Sequence, residues 1–160
     1  LRKYNRGLAL GAVGFRLIEG VFYIIGALGT LSLLTLSQEF VKAGAIDTPY
    51  FQILGTLMQA AHTWASFVFA VIAFCLGALM YYIVLYQSKL IPRWLSAWGL
   101  IAIVLLLMMI SFVIMSGEEP SGMTLLLAIP LAMQEMVLAV WLIVKGFNPS
   151  VIASKSPQVE

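Results

Sequence analysis

Apolar residues in this chain do not alternate with polar ones at a two-residue step. They run on for whole helical lengths and stop at short polar breaks, giving four runs at roughly 8–36, 51–86, 94–116 and 122–145. A helix needs about 20 apolar residues to cross a bilayer, so each run is long enough for one crossing. The breaks carry turn chemistry: Ser37–Tyr50 holds Gly44, Asp47 and Pro49, Gln87–Arg93 holds Pro92, and Ser116–Gly122 reads SGEEPSG. The pattern predicts an all-α, polytopic integral membrane bundle of four transmembrane helices. It is expected to form a single unit over residues 1–150, with a cytoplasmic tail at 151–160. The second run is too long for one perpendicular crossing, so it must tilt or project its first turns, Phe51 to Met58, above the surface.

Composition changes this picture from a helical chain to a lipid-facing one. Hydrophobic residues make up 62% of the sequence, against nine Lys or Arg and seven Asp or Glu. A soluble chain is about 25% charged, and a domain of this length buries only about 70% of its unfolded surface. These facts exclude a disordered tail, a disulfide scaffold, a nucleic-acid module and an ordinary cytosolic enzyme. Cys75 is the single cysteine, so no intramolecular disulfide forms. Seven of the nine basic residues (Arg2, Lys3, Arg6, Lys89, Arg93, Lys145 and Lys155) fall at the chain ends or the central break. The other two breaks hold Glu39, Asp47, Glu118 and Glu119, with Lys42 as their one cation. By the positive-inside rule both termini and the central connection are cytoplasmic, and Tyr82, Tyr86, Trp94, Trp98 and Trp141 fit an aromatic belt at that surface. Arg16 and Glu19 inside the first run argue against a cleaved signal peptide.

In the second run, steps of three and four pick out a polar or small stripe: Gln52, Thr56, Gln59, Thr63, Ser66, Ala70, Ala73 and Gly77. It reads either as helix-packing surface or, in its outer half, as a water-filled vestibule of Gln59, His62, Thr63 and Ser66. The first run has a matching stripe through Ala12, Arg16, Glu19, Tyr23, Gly26 and Thr30, besides a GxxxG pair at Gly7 and Gly11. The third run, apolar on every side, is expected to be the most lipid-exposed.

Three charges lie inside the runs. Arg16, Glu19 and Glu135 lie at similar depth, about 12, 16 and 15 Å from their cytoplasmic ends at about 1.5 Å per residue. A charge at mid-span costs roughly 2.5 to 3.5 kcal/mol, and a guanidinium has enough donors for two carboxylates. A cluster of the three is therefore expected, with a formal charge that calls for a shared proton or a further cation. It reads as a ligand or proton site, with Gln134 beside Glu135, or as a structural ion pair. Pro130 releases the carbonyl of Leu126 and is expected to disturb the fourth helix. His62, the only histidine, lies too near the outer surface to join the cluster. No metal-ligand spacing, phosphate loop or nucleophile elbow is evident, so no cofactor is expected.

Three segments, GFRLIEG at Gly14–Gly20, AAHTW around His62 and LGALMYYIVLYQSKLIPRWLSAWGL from Leu76 to Leu100, together with LAMQEMVLAVWLIVKGFNP at Leu131–Pro149, resemble the bacterial multi-span family called domain of unknown function 4386. The resemblance covers nearly the whole chain. It implies a bacterial inner-membrane location and matches Arg16, Glu19, His62, Pro92 and Glu135 to motif positions. Members usually carry additional spans before the FRxxE helix, so this chain is expected to lack N-terminal spans. The leading functional expectation is a protein that binds or transports a small or lipid-like ligand at the Arg/Glu cluster. The alternatives are a non-catalytic structural or interaction subunit, and an intramembrane enzyme using a protonated carboxylate. Expected partners are membrane lipid, such a ligand, and a membrane-protein partner or second copy, with no role for nucleic acid.

Overall fold

A computed structural model describes residues 4–44, 48–117 and 122–149. Helices account for every regular element among them: α1 (Arg6–Lys42), α2 (Thr48–Thr63), a π-helical segment (Trp64–Phe69), α3 (Ala70–Ser88), α4 (Arg93–Ser116), α5 (Gly122–Leu125), a 3₁₀ turn (Leu126–Ala128) and α6 (Ile129–Val144). Four stretches, Arg6–Lys42, Pro49–Ser88, Arg93–Ser116 and Leu126–Val144, are long and apolar enough to cross a membrane. The four apolar runs thus become four helical stretches with the length and apolarity that a membrane crossing requires. The first two run on past the expected 36 and begin before the expected 51. Arg2, Lys3, Asp47, Glu118, Glu119, Lys155 and the tail at 151–160 lie outside the described residues.

The chain divides into two compact units, one of Leu1–Phe15 with Cys75–Glu160 and one of Arg16–Phe74. The divisions fall inside α1 and α3. In the first unit, α4 packs on α6 and on the 3₁₀ turn. Along α4 the buried residues Leu95, Gly99, Ala102, Leu106, Met109 and Val113 recur at steps of four and three, which is one stripe of an α-helix. The stripe overturns the expectation that the third run is the most lipid-exposed: 39% of its most apolar window is buried, against 6% for α1. Sequence alone gave no reading of this face because Leu, Ile, Met and Val occupy both sides of α4, and what separates the sides is the Gly99 and Ala102 that let neighbours close in.

Gly99 has a specific reason to lack a side chain. A methyl there would lie 2.7 to 2.9 Å from the ring of Tyr82 on α3. The Tyr82 hydroxyl donates to Gln134 Oε1 at 2.6 Å, and Gln134 Nε2 donates to the Leu95 carbonyl at 3.2 Å. Gln134 is 0% exposed. One buried amide therefore ties α3, α4 and α6 together, with both ends satisfied as a dry site demands. Gly11 likewise admits Met80, whose sulfur would lie 2.6 Å from an added methyl.

Pro130 sits in the first turn of α6, where a missing N–H costs nothing. The preceding residues form the 3₁₀ turn, and Ile129 N–H bonds the Leu126 carbonyl that proline cannot serve. The disturbance expected at Pro130 is thus a restart of the fourth span. At the other end of α6, Gly146 is left-handed, with φ of 66°, and Asn148 N–H donates to the Leu90 carbonyl at 2.9 Å. This bond holds the end of the fourth span against the α3–α4 connection.

Candidate functional site

The second unit is built on an antiparallel seam between α1 and the helix formed by α2, the π segment and the first turn of α3. Contacts descend one partner as they climb the other. Phe40 meets Phe51 with ring centroids 5.2 Å apart, Phe22 stacks on Phe69 at 5.4 Å, and the Arg16 guanidinium lies 4.4 Å from the centre of the Phe74 ring. Between the aromatic pairs the backbones come closest. A methyl at Gly26 would lie 1.8 Å from Ser66 Oγ and 3.1 Å from its Cβ, and one at Gly29 would lie 3.4 to 3.6 Å from the Cβ, Cα and N of His62. Two glycines three apart share a helical face, and here that face is the floor on which His62 and Ser66 rest.

His62 uses this proximity. Its Nδ1 is 2.9 Å from the Gly26 carbonyl oxygen and 3.1 Å from Thr30 Oγ1. A carbonyl only accepts, so Nδ1 carries the proton and donates to Gly26. Thr30 Oγ1 also donates to the Gly26 carbonyl, at 3.4 Å. The expected vestibule residues therefore divide. His62 and Ser66 pack on the α1 backbone, whereas Gln59 is exposed and Thr63 half-buried. Farther out, Pro49, Gln52, Ile53, Thr56 and Leu57 line a shallow groove of about 360 Å³. Deeper in the stripe, Ala70 and Ala73 are buried.

Immediately after Thr63 the helix widens into the π segment Trp64–Phe69. Such segments recur at functional sites. This one supplies Ser66 and Phe69 to the seam, and Trp64 lies beside Phe69 with centroids 6.1 Å apart.

Arg16 and Glu19 form the charged end of the seam. Arg16 Nη1 donates to Glu19 Oε2 at 3.1 Å, and the side chains are 46% and 12% exposed. The guanidinium is thus held by a carboxylate one turn away and by the face of Phe74, a geometry that combines ion pairing with cation–π attraction. Arg16 and Glu19, two of the three charges inside the apolar runs, meet within the second unit. Glu135 belongs to the first unit, exposed on α6. Gln134, expected beside Glu135, is buried and bonded to Tyr82 and the Leu95 carbonyl.

Sequence places Arg16, Gly26 and Thr30 on one polar or small stripe and Ser66 on another, but does not single out Gly29, Phe22, Phe69 or Phe74. The Gly26-x-x-Gly29 spacing was a legible signal for close approach. Nothing in the local composition marks Trp64–Phe69 as π-helical. Among the described residues, no three His, Cys, Asp or Glu side chains come together as a metal site.

Comparison with known families matches residues 1–146 to the family described as Domain of unknown function (DUF4386), and the chain belongs to that family. No curated protein and no solved structure matches it.

Proposed function

We propose that this member of the DUF4386 family binds or transports a small or lipid-like molecule with an anionic or hydrogen-bonding head, and that Arg16 is the group that receives it. The observation that carries the reading is the exposure of Arg16: within an apolar helix its side chain is 46% open, while the carboxylate beside it is 12% open. An ionisable group in a membrane helix is costly and is a functional-site candidate on that ground alone. Glu19 and Phe74 preset its position, and a planar fork of five donors suits a carboxylate or phosphate. In this reading Gln59 and Thr63 lie along the approach, with His62 and Ser66 holding the wall behind them. Glu135, the other carboxylate within the apolar runs, is the proposed proton site, and Gln134 steadies the helix that bears it.

Mass spectrometry of small molecules extracted from the purified protein tests the proposal. An anionic-headed species should accompany the parent protein, be lost in Arg16→Gln, and be partly retained in Arg16→Lys. Identical profiles for all three proteins would remove Arg16 from any ligand site.

A second reading, a non-catalytic structural or interaction subunit, is favoured by α1, whose Leu17, Ile24, Leu28 and Leu31 are all exposed. Its test is disulfide cross-linking from Leu28→Cys in a Cys75→Ser background, which should trap a second copy or a membrane-protein partner. Both readings put the termini and the α3–α4 connection in the cytoplasm of a bacterial cell, on the distribution of Lys and Arg. A single cysteine at Lys42 should then react with impermeant reagents from outside the inner membrane, and labelling confined to inverted vesicles would reverse the orientation.

A further inference from the structure

We infer that the first unit carries a binding site for an anionic phospholipid where α3, α4 and α6 end together. A groove of about 510 Å³ lies there, with Lys89, Arg93 and Lys145 in its lining and no carboxylate among the described lining residues. The residue after α3, Lys89, is left-handed with φ of 55°. Pro92 and Arg93, where α4 begins, are both in the lining, so the N-terminal end of that helix lies at the groove. The Asn148–Leu90 backbone bond ties the residues after α6 to the α3–α4 connection, so that Lys145 lines the same groove as Lys89 and Arg93. Three cations in the lining of one groove, with the positive end of a helix beside them, suit a phosphate-bearing head.

The surroundings show why the phosphate comes with acyl chains. Lys145 Nζ lies 4.6 Å from the Trp141 ring centre, Arg93 stacks 5.4 Å over Tyr86, and Trp94 lies 6.4 and 6.5 Å from Trp98 and Trp141. Tryptophan and tyrosine gathered in this way mark the headgroup level of a bilayer. A second groove, of about 370 Å³, shares Trp141 and Lys145 with the first and continues along α6 over Met136, Val140 and Val144. Its lining is otherwise apolar, and these three side chains are exposed. A polar cleft opening onto an apolar track matches one molecule with an anionic head and a hydrocarbon chain, and basic pockets between membrane helices bind such heads. This site shares no residue with Arg16 and stands or falls separately from it.

Native mass spectrometry of the delipidated, detergent-solubilised full chain provides the test. Phosphatidylglycerol and phosphatidylcholine with identical acyl chains are titrated in parallel with inorganic phosphate. Phosphatidylglycerol should bind at least about tenfold more tightly than phosphatidylcholine, with on the order of fivefold lost for each cation removed by Lys89→Gln, Arg93→Gln and Lys145→Gln. Lys42→Gln, which removes one cation outside the groove, should leave the preference intact. Because the three groove cations are exposed, the triple variant should melt at the parent temperature without lipid. Equal binding of the two lipids, or a preference that survives in the triple variant, overturns the site. Inorganic phosphate binding as tightly as phosphatidylglycerol overturns its assignment to lipid.

Discussion

Each unit places a polar side chain across from a backbone carbonyl and clears the ground with glycine. In the first, Gln134 donates to the Leu95 carbonyl and Gly99 makes room for Tyr82. In the second, His62 donates to the Gly26 carbonyl, and Gly26 and Gly29 make room for Ser66 and His62. The device is the same and the setting differs. Gln134 is sealed, both ends of its amide used inside the protein, whereas His62 is half-buried on a seam that ends in the half-exposed Arg16. A sealed polar group specifies how helices pack. A polar group on an open seam leaves part of its surface uncovered by its own unit, and Gln134 and His62 differ on this basis.

Gln134→Leu should have the largest effect. The change takes from the Tyr82 hydroxyl and the Leu95 carbonyl the groups they now meet, and stability should fall by about 2 to 4 kcal/mol in a denaturant titration in mild detergent. Tyr82→Phe in the same chain should recover part of that loss, since one of the stranded groups is then gone. Next is Gly99→Ala, where an added methyl meets a buried aromatic ring with little freedom to move; about 1 to 3 kcal/mol should be lost. Gly26→Ala should cost less, about 1 kcal/mol, because Ser66 Oγ can rotate away, and Ser66→Ala should restore most of it. An equal cost for the two glycine changes would show that the second seam is as closed as the first. The smallest effect runs the other way. Ser96 Oγ is buried and has no hydrogen-bond partner among the described residues, so Ser96→Ala should raise stability by up to about 1 kcal/mol.

What could be read in the sequence follows the same division. Span number and approximate ends were legible because twenty-residue apolar runs have one physical solution in a bilayer. Arg16 with Glu19 was legible because a spacing of three places both on one helical face whatever surrounds them. The buried face of α4 was not legible, because a helix apolar all round offers no contrast between lipid and protein. Gln134 was visible as a polar residue in an apolar run, but its partners, Tyr82 and Leu95, are far away in the chain, and no local pattern connects them. His62 was placed by depth alone, which measures position along the helix and says nothing of the glycine floor it turns toward.

The π segment carries one consequence for how this helix tolerates change in length. Six residues of wider winding between Thr63 and Ala70 advance the chain without advancing the phase as an α-helix would. Removal of one residue from Trp64–Phe69 should therefore close the turn to ordinary α geometry, whereas the same deletion within α4 would rotate everything beyond it by about 100°. The helix that holds the seam thus has one internal place where a residue can be lost while the helical phase beyond it is kept, and that is where a deletion does least harm.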